Sequence, residues 1–162
     1  MDESFIKESL TGFDAVWKRV TGGHETADKA EVYSEEDILK ELIQDENCAA
    51  QYASSLARMF QGDGRAVLLR HAADAKRHSR RLRAEYFIRT GVSYSQENNC
   101  QGVSGKLSSL RQALLQAGLR AEKYDFAAEH TSSLELRQAY QAFAADTRRC
   151  AQETRALLIE SF

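Results

Sequence analysis

The sequence predicts an all-α chain: a four-helix bundle built from two copies of one helix hairpin, joined by a long crossover and preceded by a short N-terminal helix. Three observations carry the prediction. Proline is absent from all 162 residues, while the good helix formers Ala, Leu, Arg, Glu and Gln are abundant. Apolar residues recur at alternating spacings of three and four in four long segments. The second half of the chain also falls on the first, without a gap, at a shift of 72 residues.

The N-terminal segment places Ile6, Leu10, Phe13, Trp17 and Val20 on one face of a short amphipathic helix. A polar stretch, TGGHETADKAEVY, then separates residues 1–33 from a bundle over 34–162. Ser34 followed by Asp37 resembles a capping box and opens the first bundle helix. Its expected inner stripe is Ile38, Leu42, Asp45, Ala49, Tyr52, Leu56 and Met59, with QGDG ending the helix near 61–64. The second helix shows Leu68, His71, Ala75, His78 and Leu82, and Gly91 is its stop. The connection VSYSQENNCQGVSG is long and polar, which suits a crossover better than a tight hairpin. The third helix, from about Ser104, shows Leu107, Leu110, Leu114, Ala117, Ala121, Tyr124 and Ala128. The fourth, from about Ser133, shows Leu136, Tyr140, Phe143, Thr147, Cys150 and Leu157. Each helix is on the order of 25 residues and so roughly 35–40 Å long.

The repeat is anchored in two places. Leu42, Gln44, Ala49 and Tyr52 land on Leu114, Gln116, Ala121 and Tyr124. The heptapeptide AADAKRH at 72–78 lands on AADTRRC at 144–150, so His78 meets Cys150. The plan resembles the ferritin-like superfamily, and most closely its rubrerythrin branch, over about residues 34 to 160. That resemblance implies a pair of iron ions held by a carboxylate before each tyrosine and by a Glu-x-x-His in the second helix of each hairpin. Residues three apart share a helix face, so both members of such a motif can reach one metal.

In this chain the positions are largely emptied. The first carboxylate falls on Asp45, with Glu46 beside it as a second candidate. The first Glu-x-x-His falls on Ala75 and His78, the second carboxylate on Ala117, and the second motif on Thr147 and Cys150. Asp74 and Asp146 sit next to the lost ligands but point about a quarter turn away. The reading is a scaffold without catalytic residues or cofactor, acting through binding or assembly. Its alternative is a rubrerythrin-type oxidoreductase or peroxidase holding iron, manganese or zinc on Asp45, Glu46 and His78, with Cys48 and Cys150 as further ligands. A structural reading stands beside it, in which Asp45 and His78 form a buried hydrogen-bonded pair and the cysteines act as small hydrophobes.

Net charge is −2, so nucleic acid is not an expected partner despite the many arginines of the second helix. Three widely spaced cysteines with no CxxC pair argue against a disulfide framework. The acidic start and the lack of a long apolar run place the expectation in the cytoplasm, with no membrane contact. The family resemblance implies a homodimer.

Overall fold

Ser34 opens the bundle as the sequence predicts: its hydroxyl accepts the Asp37 amide at 3.1 Å and donates to the Asp37 carboxylate at 2.7 Å. The computed structural model describes residues 34–162, and the expected N-terminal helix lies outside them. Four helices follow: α1 (Glu35–Ala57), α2 (Gly62–Thr90), α3 (Lys106–His130) and α4 (Leu134–Glu160). Ser133 caps α4 as Ser34 caps α1, accepting the Leu136 amide at 3.2 Å.

Contacts between the helices fix their directions. Glu35 meets Arg89 and Asn47 meets Ser79, so α1 and α2 run antiparallel. Asp125 meets Arg148 and Ala128 meets Arg137, so α3 and α4 do the same. Across the hairpins, Tyr52 bonds the Ser109 carbonyl while Asp45 meets Lys123, and Arg70 meets Glu153 while Arg81 meets Glu135. Thus α1 packs antiparallel on α3, and α2 on α4. Because α2 and α3 are parallel, the connection between them must traverse the bundle's length, which is why it is long.

At the end where α1 turns into α2, Leu56, Ala57, Phe60, Leu68, Leu110 and Leu157 make an apolar plug. The plug explains part of QGDG. A Cβ at Gly64 would sit 3.0 Å from the Phe60 ring, so glycine there lets the phenyl group fold over the helix start. The chain turns earlier than the stripe suggests: α1 stops at Ala57, and Met59 is exposed rather than inward. Leu107 is likewise exposed. By contrast, the stripes of α2 and α4 are buried at every position expected.

The crossover, 92–105, lies along α1 and contains the main surprise. Cys48 and Cys100 are joined by a disulfide, contrary to the reading of three unpaired cysteines. Spacing along the chain could not show this, because the crossover brings together residues 52 apart in sequence. Closing a loop of that length restricts the unfolded chain by about 4 kcal/mol on the loop-entropy view. Cys150 remains a free, buried thiol. Among the described residues, no helix is long and apolar enough to cross a membrane.

Gly91 ends α2 in the left-handed region at φ 69°, its amide bonding the Phe87 carbonyl at 2.8 Å. A Cβ there would meet nothing within 4 Å, so a substitution feels the backbone alone. Gly91→Ala is expected to lower stability by about 1 kcal/mol, read as a shift of the urea midpoint at unchanged slope.

Candidate functional site

At mid-bundle the four helices each direct polar side chains toward one place. Glu46 comes from α1, His78 from α2, Tyr124 and Arg120 from α3, and Asp146 from α4. Glu46, His78 and Tyr124 are almost wholly excluded from solvent, at 0%, 2% and 0% exposure. Burial of a carboxylate and an imidazole requires partners, and the geometry supplies them. Tyr124 donates its hydroxyl to Glu46 Oε1 at 2.6 Å, and His78 Nδ1 lies 3.0 Å from the same oxygen. Arg120 Nε stands 3.4 Å from it, as a charge rather than a hydrogen bond. The other face of the histidine is also engaged, with Nε2 at 3.0 Å from Asp146 Oδ2.

The electrostatics follow from these contacts. Burial opposes ionisation of Glu46, but the Arg120 charge and the bonds from His78 and Tyr124 outweigh it and hold the carboxyl below its ordinary value. The same burial and the neighbouring Glu46 charge push the Tyr124 hydroxyl well up, so it stays a donor. Burial disfavours the Asp146 charge too, yet His78, Arg149 and Arg77 bring its pKa down. A neutral imidazole carries one N–H. The two nitrogens of His78 each face a carboxylate oxygen, so the ring is engaged on both edges.

The duplicated heptapeptide acquires a structural meaning here. Arg77 binds Asp74 three residues before it at 2.8 Å and reaches across to Asp146 at 2.8 Å. Arg149 binds Asp146 at 3.2 Å and reaches back to Asp74 at 3.0 Å. The two copies of Asp-x-x-Arg therefore close a reciprocal four-membered ring between α2 and α4. Arg77 and Arg149 stay half exposed while Asp74 is buried beneath them. Charge-assisted pairs of this kind are stronger than neutral hydrogen bonds.

The expected site residues divide. Glu46 and His78 are brought together. Asp45 is not with them: it turns to α3, where Lys123 holds it at 2.7 Å, and burial raises its pKa despite that cation. The expected buried Asp45–His78 pair is thus replaced by Glu46–His78. The crossover packs on the Gln44 and Cys48 side of α1, and Glu46, which follows Asp45, faces the centre. Cys48 is consumed in the disulfide and cannot ligate alongside His78. Cys150 is buried in an apolar setting that pushes its thiol up to about 12, so it is not a thiolate at neutral pH. Thr147 donates to the Phe143 carbonyl at 2.7 Å within its own helix. Phe143 stacks on the His78 ring at 4.1 Å between centroids. His71 is a satisfied core histidine, 2.6 Å from Glu153.

Arg120 and Asp146 are what sequence reasoning missed as site residues. Asp146 left a signal, since both copies of the heptapeptide keep Asp-x-x-Arg. Arg120 left none, because the shift of 72 sets it opposite Cys48.

Comparisons with known proteins add the fold and no activity. No protein-family model and no curated protein matches the chain. A solved structure of a hypothetical protein from Pyrococcus furiosus is similar, with a TM-score of 0.70 at 21% identity, covering 78% of this chain and 89% of that one.

Two outcomes test the network. His78→Ala leaves the Glu46 charge short of a buried partner and should cost roughly 3 kcal/mol, with clear non-additivity against Glu46→Gln in a double-mutant cycle. Because the folded pKa of Glu46 is lowered from 4.5, its stabilising contribution is complete above that value and is lost as pH falls through the folded one. The stability gap between wild type and Glu46→Gln should therefore narrow below about pH 4.5, as read from urea unfolding across a pH series.

Proposed function

We propose that the chain is a non-catalytic scaffold of rubrerythrin-like, ferritin-like ancestry, in which an internal ion-pair network stands where such bundles hold two iron ions. The observation that carries this reading is the engagement of the two ligand-type side chains at the centre. Glu46 Oε1 receives Tyr124 and His78 and faces Arg120, and both His78 nitrogens face carboxylates. A metal would have to displace these partners. Arg120 already supplies positive charge beside the carboxylate, which is part of what a metal ion would contribute. The residues do not fit a two-iron centre: the bridging carboxylate positions are Ala75 and Thr147. Among the described residues, no cluster of three or more His, Cys, Asp or Glu side chains has the arrangement of a metal site.

The second reading is a single iron, manganese or zinc ion on a reduced ligand set. It draws on Glu46 Oε2, which is buried with no hydrogen-bond partner among the described residues. A nucleic-acid role finds little support, because the arginines of α2 are largely spent on acids: Arg70 on Glu153, Arg77 on Asp74 and Asp146, Arg81 on Glu85 and Glu135, Arg89 on Glu35. Homodimerisation and a cytoplasmic location belong to the same proposal. The disulfide makes demands on that location, since such bonds persist mainly under oxidising conditions.

Elemental analysis of protein purified without chelators decides between the two readings. The scaffold reading expects iron, manganese and zinc far below one per chain, and no rise in Tm when each ion is added. One tightly held ion per chain, lost on His78→Ala, would establish the second reading instead.

A further inference from the structure

We propose that the Cys48–Cys100 disulfide is a redox latch: a dithiol reductant opens it and releases the crossover from α1 while the four helices stay folded. The crossover has no helix or strand of its own, and its hold on α1 is concentrated on one helical turn. Gln44 accepts the Tyr94 hydroxyl at 2.8 Å and donates to the Glu97 carbonyl at 3.0 Å and the Asn99 side chain at 2.6 Å. One turn later, Cys48 carries the covalent link. Beyond that turn, Tyr94 packs edge-on against Tyr86 and Arg83 lies over the Tyr94 ring. At its far end the segment is anchored separately, through the Ser104 amide on the Ser109 hydroxyl and Val103 on the apolar plug. The span from 92 to about 102 can therefore detach with neither the plug nor the Glu46 network disturbed.

The chemistry is built for exchange. Both cysteines are only partly buried, so a thiolate can approach. Attack on Cys100 Sγ forms a mixed disulfide, breaks the Cys48–Cys100 bond and sends the electron pair to Cys48 Sγ. The Gln44 amide Nε2 already lies 3.4 Å from that sulfur, and 4.0 Å from Cys100, as a donor to the departing thiolate. The second thiolate of the reductant resolves the mixed disulfide, leaving two protein thiols and an oxidised reductant. Cys150, buried in α4, takes no part.

The test is cleavage after the exposed Glu97 by a glutamate-specific protease, followed by mass spectrometry, with helix content read by circular dichroism in the same samples. Reduction with dithiothreitol should raise cleavage at Glu97 at least about tenfold with the helical signal unchanged. The variant C48S/C100S should be cleaved at the faster rate with or without reductant. Equal cleavage before and after reduction would overturn the latch. So would loss of helical signal in step with cleavage, which would make the bond a brace of the whole bundle.

Discussion

One carboxylate in the middle of the bundle governs the rest of the architecture. Removing a charge of this kind from water costs several kcal/mol even after the protein relaxes, so Glu46 can be buried only where other helices bring partners to it. His78 arrives from α2, and Tyr124 and Arg120 from α3. Those contacts tie the first hairpin to the second at one height along the axis. A sliding of α3 against α1 by a turn, about 5.4 Å, would strand the charge. The apolar plug is less exacting, since leucines accept many neighbours. The polar centre sets the register, and the plug supplies apolar burial.

The two halves meet along seams of different character. Between α2 and α4 the ties are ionic and partly wet: the Asp74–Arg77–Asp146–Arg149 ring, His78 on Asp146, and Arg70 with His71 on Glu153. Such pairs contribute modestly where solvent reaches them, but they are directional and self-complementary. The ring maps onto itself when the hairpins are exchanged, as the interface of a symmetric dimer does. A hairpin that once paired with its own copy would leave this kind of trace after duplication and fusion. The Glu46 centre lacks that symmetry, because the repeat equivalents of Glu46 and His78 are Gly118 and Cys150. The repeat symmetry holds in the ring that ties the hairpins together and breaks at the Glu46 centre.

The sequence made the fold legible because periodicity and repetition act over many residues. The stripes of α2 and α4 needed no tertiary information. On α1 they did: two adjacent stripes, Ile38–Leu42 and Leu39–Ile43, are both buried, and they lead on to Asp45 and Glu46 respectively. A periodicity of seven cannot choose between neighbours when the buried face is wide. Tertiary contacts choose: His78 and Tyr124 hold Glu46 at the centre, and the crossover lies over the Gln44–Cys48 side. The same segment hid the disulfide. What the sequence could not supply was in each case which distant residues meet across the fold.

A buried carboxylate also sets terms for any bundle centre without a metal ion. Deleting ligands from a bundle leaves the surviving carboxylate buried, and a buried carboxylate without a cation is intolerable. Either the acid must go too or a protein cation must come in. On α3 and α4 the repeat equivalents of Asp45 and Ala75 are Ala117 and Thr147, both neutral, and Thr147 bonds within its own helix. On α1 the acid Glu46 is present, and Arg120 stands beside it with Tyr124 and His78. Arg120 thus sets a protein cation beside the buried acid. With three partners built around it, removing Glu46 would take the shared partner from Arg120, His78 and Tyr124 together.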